Sequence, residues 1–141
     1  MRESRYGMGV DVALPYDRAL EKTIEELKTE GFGVLTTIDV KQTLKQKLDK
    51  EFRRYAILGA CNPSLADRAF GAELEIGLLL PCNVIVYENG ADRSVVAAMA
   101  PIAAIGMVGD VPALSAVARE ADERLRRVLS AIQAASPVGG S

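Results

Sequence analysis

The chain contains no histidine, no tryptophan and only two cysteines, and each shortage removes a class of function. Without an imidazole, Ser-His-Asp and Cys-His catalysis have no base, and the commonest nitrogen ligand of zinc is missing. Aromatic residues are 5% of the chain, too few to build the stacking platforms that single-stranded nucleic acids require. Charge of one sign is also lacking, since 17 basic side chains stand against 19 acidic ones for a formal net charge of −2. A basic run does occur, with Lys41, Lys45, Lys47, Lys50, Arg53 and Arg54, but Asp39, Asp49 and Glu51 interrupt it. It reads as a solvated face rather than a nucleic-acid surface. The longest uncharged stretch, Ser94 to Gly109, is 16 residues and carries Pro101 and Gly106, short of the roughly 20 apolar residues of a membrane helix. Met1 to Arg5 holds no apolar core of a signal peptide, so the expected location is the cytoplasm, where two thiols stay reduced.

What is present is an ordinary globular composition, 49% hydrophobic over 141 residues, enough for one core. Tyr6, Met8, Val10 and Val12 alternate with Gly7, Gly9, Asp11 and Ala13, the period of a half-buried strand. Pro15 and Asp17 open a helix whose apolar face is Tyr16, Leu20, Ile24 and Leu27 and whose stop is Gly31. Phe32 to Ile38 reads as the second strand. Asp39 and Gln42 then cap a short helix with Val40, Leu44 and Leu48 turned inward. Arg53 to Ala60 is the third strand. Asn62 and Pro63 start a short helix to Phe70, and an irregular or helical piece follows over Glu73 to Leu79. Pro81 to Glu88 and Ser94 to Ala100 form a hairpin about Asn89-Gly90. Pro112 opens the last helix, striped by Leu114, Val117, Ala118, Ala121, Leu125, Val128, Leu129 and Ile132. Residues 1 to 135 make one domain, and 136 to 141 a loose tail. The pattern predicts an α+β fold, two layers deep, with an antiparallel five-stranded sheet and helices on one face. Strand 81 to 88 is apolar on both sides, so the second sheet face is expected to be covered, by a partner subunit or a lipophilic ligand, and a second copy in a homodimer is the favoured cover.

The two cysteines sit in matching contexts, Gly59-Ala60-Cys61-Asn62-Pro63 and Leu80-Pro81-Cys82-Asn83. If the strands that carry them are antiparallel neighbours, the 20 residues between leave and re-enter the sheet at one edge, and the thiols meet there. Met99 approaches the same edge. The plainest reading makes Cys61 and Cys82 small buried hydrophobes, and Asn62 and Pro63 an N-cap and its first helical residue. A chemical reading makes Cys61 a thiol favoured by the helix behind it and pairing reversibly with Cys82. A binding reading places a small molecule or anion against Cys61, Asn62, Pro63, Cys82 and Asn83. A metal reading uses Cys61, Cys82 and Met99 for a soft ion, or Glu73 and Glu75 with the thiols for zinc. No cofactor is expected, and no residue is assigned a catalytic role.

The segments Tyr55 to Pro63, Ile76-Gly77, Leu80 to Val84 and Val86 to Glu88 resemble the family catalogued as Domain of Unknown Function 302. The resemblance runs from the first strand to the last helix. It implies a β-α-β4-α arrangement similar in outline to half of a TATA-binding protein, commonly assembled as a homodimer, with no settled activity and no nucleic-acid role.

Overall fold

The computed structural model describes residues 1–138. Twelve elements follow in order: β1 (Arg2–Glu3), β2 (Gly7–Val12), α1 (Tyr16–Thr29), β3 (Gly33–Asp39), α2 (Val40–Leu48), β4 (Tyr55–Cys61), α3 (Pro63–Ala72), a 3₁₀ turn (Leu74–Leu79), β5 (Cys82–Glu88), β6 (Ser94–Met99), α4 (Pro101–Gly106) and α5 (Pro112–Ala135). The six strands form one antiparallel sheet in the order β1-β2-β6-β5-β4-β3. The sixth strand is the two-residue β1, too short to carry a periodic signal, and it pairs Arg2 with Gly9. An α+β sheet with helices on one side is therefore the architecture, with one short strand added at its edge.

Alternation decides which side chains meet the helices. Val10, Val12, Leu58, Ala60, Val84, Val86, Val96 and Ala98 face α1 and α5 and are buried, joining Leu27, Leu125, Val128, Leu129 and Ile132 in the main core. A second cluster holds Leu65, Ala69, Ile76, Ile105, Leu114, Val117, Ala118 and Ala121, and it lies under α3, the 3₁₀ turn and α4. The first half of α5 serves this smaller cluster and the second half covers the sheet.

Local chemistry ends the elements where the sequence predicts. Gly31, at φ +83°, closes α1: its N–H donates to the Lys28 carbonyl at 3.0 Å, and the Phe32 N–H donates to that of Leu27 at 2.9 Å. That double bond is the helix-ending arrangement that needs a left-handed residue followed by an apolar one, and it drives Phe32 into the core. Asp39 accepts from the Gln42 N–H at 2.9 Å and so caps α2.

Two expectations change. α2 buries nothing, and Leu48, expected inward with Val40 and Leu44, is exposed, because α2 hangs off the end of edge strand β3, where little lies opposite it. The charge-free stretch after β6 contains α4, whose six residues are too few for a helical period to register. At the C-terminal side, Ser136 accepts from the Ala13 N–H at 2.9 Å and Pro137 bridges to Val12. The rest of the expected loose tail, residues 139–141, lies outside the described residues.

Gly59 sits opposite Thr36 at the bulge between Val34 and Thr36. A methyl there would collide with Thr36 Oγ1 and come within 2.9 Å of Pro81 Cγ. Gly59→Ala is therefore expected to cost about 1–3 kcal/mol, as overpacking does. Chemical denaturation checks this, and pairing it with Thr36→Ala, which removes the colliding hydroxyl, is expected to restore part of the loss.

Candidate functional site

Ala60 is the register partner of Cys82 across β4 and β5, and Cys61 is the next residue along. The two cysteines are therefore neighbours at the end of the sheet where β4 gives way to α3. Both are free thiols. Cys82 shares the helix-facing side with Ala60 and is 9% exposed, whereas Cys61 is half-buried. Burial, and then the neighbouring Cys61, pushes the Cys82 thiol up from the ordinary 9.0 to about 11. Cys82 is thus held as a neutral thiol at physiological pH.

Asn62 holds this corner together. Its side-chain oxygen accepts from the Leu65 N–H at 3.2 Å, capping α3, and its amide donates to the Glu30 carbonyl at 3.3 Å. Arg124 of α5 donates to the same carbonyl at 2.9 Å. The C-terminal end of α1, which presents unpaired carbonyls, is thereby tied to the start of α3 and the middle of α5. Gly31 leaves the room for this, since a Cβ there would stand 2.9 Å from Asn62 Nδ2. Glu30 also pairs with Arg127 at 2.9 Å, and that hydrogen bond holds its carboxyl below the usual range.

Beside the corner lies a cavity of about 370 Å³. Cys61, Asn62 and Cys82 form part of its wall, with Ala60, Phe32 and Leu35 from the sheet side and Ala66, Ala69 and Phe70 from α3. Leu80 and Pro81, Ile105 of α4, and Val117 and Ala121 of α5 lie opposite, and Thr36, Leu65 and Gly77 complete it. Its lining is almost wholly apolar and includes no charged residue. The volume is that of a pocket for a small organic molecule.

The residues singled out from sequence divide. Cys61, Asn62 and Cys82 come together in this wall. Pro63 is the first residue of α3 and is exposed. Asn83 points the other way, into a shallower hollow on the sheet's opposite face with Tyr55, Ile85, Tyr87 and Met99. Met99 lines that hollow and not the cavity wall, and is therefore not gathered with the two thiols. Glu73 accepts from the Glu75 N–H at 3.2 Å and caps the 3₁₀ turn. Among the described residues no group of three or more cysteines, aspartates or glutamates is placed to hold a metal ion. Of the apolar members of the wall, Ala60, Leu80 and Pro81 belong to the two cysteine segments, and the others had no signal in sequence beyond hydrophobicity.

A family model described as "Domain of unknown function DUF302" matches residues 8–132. The chain belongs to the DUF302 family. An uncharacterized conserved DUF302 protein from Bacillus stearothermophilus has the same fold in its crystal structure, with a TM-score of 0.82 and 33% sequence identity over 90% of this chain and 98% of that one. No curated protein matches. The DUF302 resemblance of the Cys-Asn-Pro and Leu-Pro-Cys-Asn segments thus holds. The family assigns no activity, so the reading of the DUF302 corner rests on its own geometry.

Since the folded Cys82 keeps its proton to about pH 11 and an unfolded thiol loses it near 9, the fold binds that proton more tightly. Stability from this source is complete below about pH 9 and is lost as pH rises toward 11, with a slope of up to about 1.4 kcal/mol per pH unit. Denaturant midpoints of wild type and Cys82→Ala across that window check it; the variant is expected to show the shallower decline.

Proposed function

We propose that this chain is a binding domain for a small, predominantly apolar molecule held in the cavity beside Cys61, Asn62 and Cys82. The observation that carries the reading is a volume of about 370 Å³ with an apolar, uncharged wall. The pocket opens to solvent, so what favours an occupant is the apolar surface that it and the wall remove from water, roughly 25 cal/mol per Å². The pairing of Cys61 with Cys82 in a redox couple finds less support, because the buried Cys82 favours its neutral form and a neutral thiol does not attack. A soft-metal role is weaker again, with Met99 lining a separate hollow. The two free thiols suit a reducing compartment, and we place the protein in the cytoplasm on that ground. The absence of any charge in the wall argues against an anion as the occupant and against acid–base catalysis within it.

A second reading concerns the other sheet face and does not exclude the first. Tyr55, Ile57, Ile85 and Tyr87 are half-buried there, and the Tyr55 and Tyr87 rings stack at 5.3 Å and 6°. On edge strand β3, Ile38, the register partner of Ile57, is also exposed. These apolar side chains have no helix above them, which supports a homodimer through this side of the sheet. Neither reading needs nucleic acid or a membrane. No helix among the described residues is long and apolar enough to cross one.

Thermal unfolding against a panel of medium-chain alcohols, ketones and polar metabolites tests the first reading. Apolar members at about 100 times their Kd are expected to add about 2.7 kcal/mol, a rise of several degrees. Ala66→Phe, which fills the cavity from α3, is expected to abolish the rise; stabilisation by charged metabolites alone would refute the proposal. Light scattering tests the second. Wild type is expected to weigh twice the chain mass and Ile85→Asp to weigh one chain, with a monomeric wild type refuting it.

A further inference from the structure

Cys61 is not a lone thiol on a surface: it is half-buried and forms part of the wall of an uncharged cavity, beside a second cysteine that burial keeps neutral. The polar side chains in that wall are few, namely the Thr36 hydroxyl, the Asn62 amide and the two thiols. Asn62 is committed, since its oxygen accepts from Leu65 and its amide donates to Glu30. No carboxylate, amine or guanidinium in the wall is available to pair with an ionic ligand or to act as a base. The chemistry open to such a site is therefore narrow. It is addition of a soft nucleophile to a soft, uncharged electrophile, a reaction that needs a thiolate and a solvent proton and nothing else.

Resting on the reading of the cavity as an apolar binding site, we infer that its ligand class is an apolar chain bearing a conjugated carbonyl, and that Cys61 captures it covalently. In the step, Cys61 ionises to solvent and its sulfur forms a bond to the β-carbon of the unsaturated carbonyl. The carbon–carbon π pair moves toward the carbonyl as an enolate, which takes a proton at the α-carbon. The sum is addition of S–H across the double bond, with no oxidant or reductant consumed. Cys82, 9% exposed and facing Ala60, is wall and not nucleophile. The apolar tail lies between Ala66, Ala69 and Phe70 on one side and Val117 and Ala121 on the other, in a volume that accommodates a chain of medium length. Binding of the tail holds the electrophilic carbon beside Cys61 and raises the rate by proximity.

The test compares nonenal, which has a tail, with acrolein, which has the same electrophile and none, using the reduced full chain and intact-mass spectrometry. Each rate is divided by the rate of the same aldehyde with glutathione. One adduct is expected, lost in Cys61→Ser and kept in Cys82→Ser, with the normalised rate for nonenal about ten-fold or more above that for acrolein, as positioning by a bound tail requires. Ala66→Phe is expected to bring the two rates together while leaving reaction with iodoacetamide unchanged. Ala66→Leu serves if the larger side chain impairs folding, and the tail comparison in wild type needs no variant. Nonanol, which has a tail and no electrophile, separates the two levels of the argument. Stabilisation by nonanol without an adduct at Cys61 overturns the covalent inference and leaves the apolar site standing. Equal rates for the two aldehydes with no stabilisation by nonanol overturn both.

Discussion

One helix has to cover two different surfaces, and most of the structure follows from that requirement. α5 runs from Pro112 to Ala135, about 36 Å at the usual rise, which is longer than the sheet it packs on. Its second half presses Leu125, Val128, Leu129 and Ile132 onto β2 and β6, while its first half offers Leu114, Val117, Ala118 and Ala121 to the cluster under α3, α4 and the 3₁₀ turn. The two clusters are separate. Where they join, the residues are small: Ala60 on β4, Ala66 and Ala69 on α3, Ala121 on α5. Methyl groups facing one another across that join do not fill it, and the cavity is the space they leave.

The same join is where backbone groups have to be matched. α1 ends, β4 ends and α3 begins within a few ångströms of one another, and each end exposes donors or acceptors that burial would orphan. Asn62 answers two of these demands with one side chain, capping α3 with its oxygen and satisfying the Glu30 carbonyl with its amide. Arg124 supplies a second donor to that carbonyl from α5. The corner is rigid for reasons of hydrogen bonding and open for reasons of side-chain volume. That combination, a fixed frame around unfilled apolar space, is what a binding site requires.

Much of this frame was legible in the chain because its signals are local. Gly31 followed by Phe32, Asp39 three residues before Gln42, and Asn62 before Pro63 each fix a helix end through bonds among near neighbours. The meeting of Cys61 and Cys82 was also foreseeable, since two antiparallel strands joined at one edge bring their linked ends together. Met99 and Asn83 were misplaced by the same argument. Adjacency along an edge says nothing of which face a side chain takes, and both line the hollow on the side away from the helices. Leu48 failed for a different reason: its helical spacing was sound, but α2 lies past the region that α1 and α5 cover.

The amino-acid sequence alone determined the five longer strands, the ends of the capped helices, the antiparallel α+β architecture and the family, because periodicity, caps and turn residues act over a few positions. It also excluded imidazole chemistry outright. Only the tertiary structure decided that Leu35, Phe70, Ile105 and Val117, spread over more than eighty residues, face one cavity, and that of the two cysteines in its wall Cys82 is buried and Cys61 half-buried. Those facts depend on how far apart α3 and α5 stand when both rest on the sheet. That separation is set by the summed volumes of side chains distant in sequence, which no short pattern encodes.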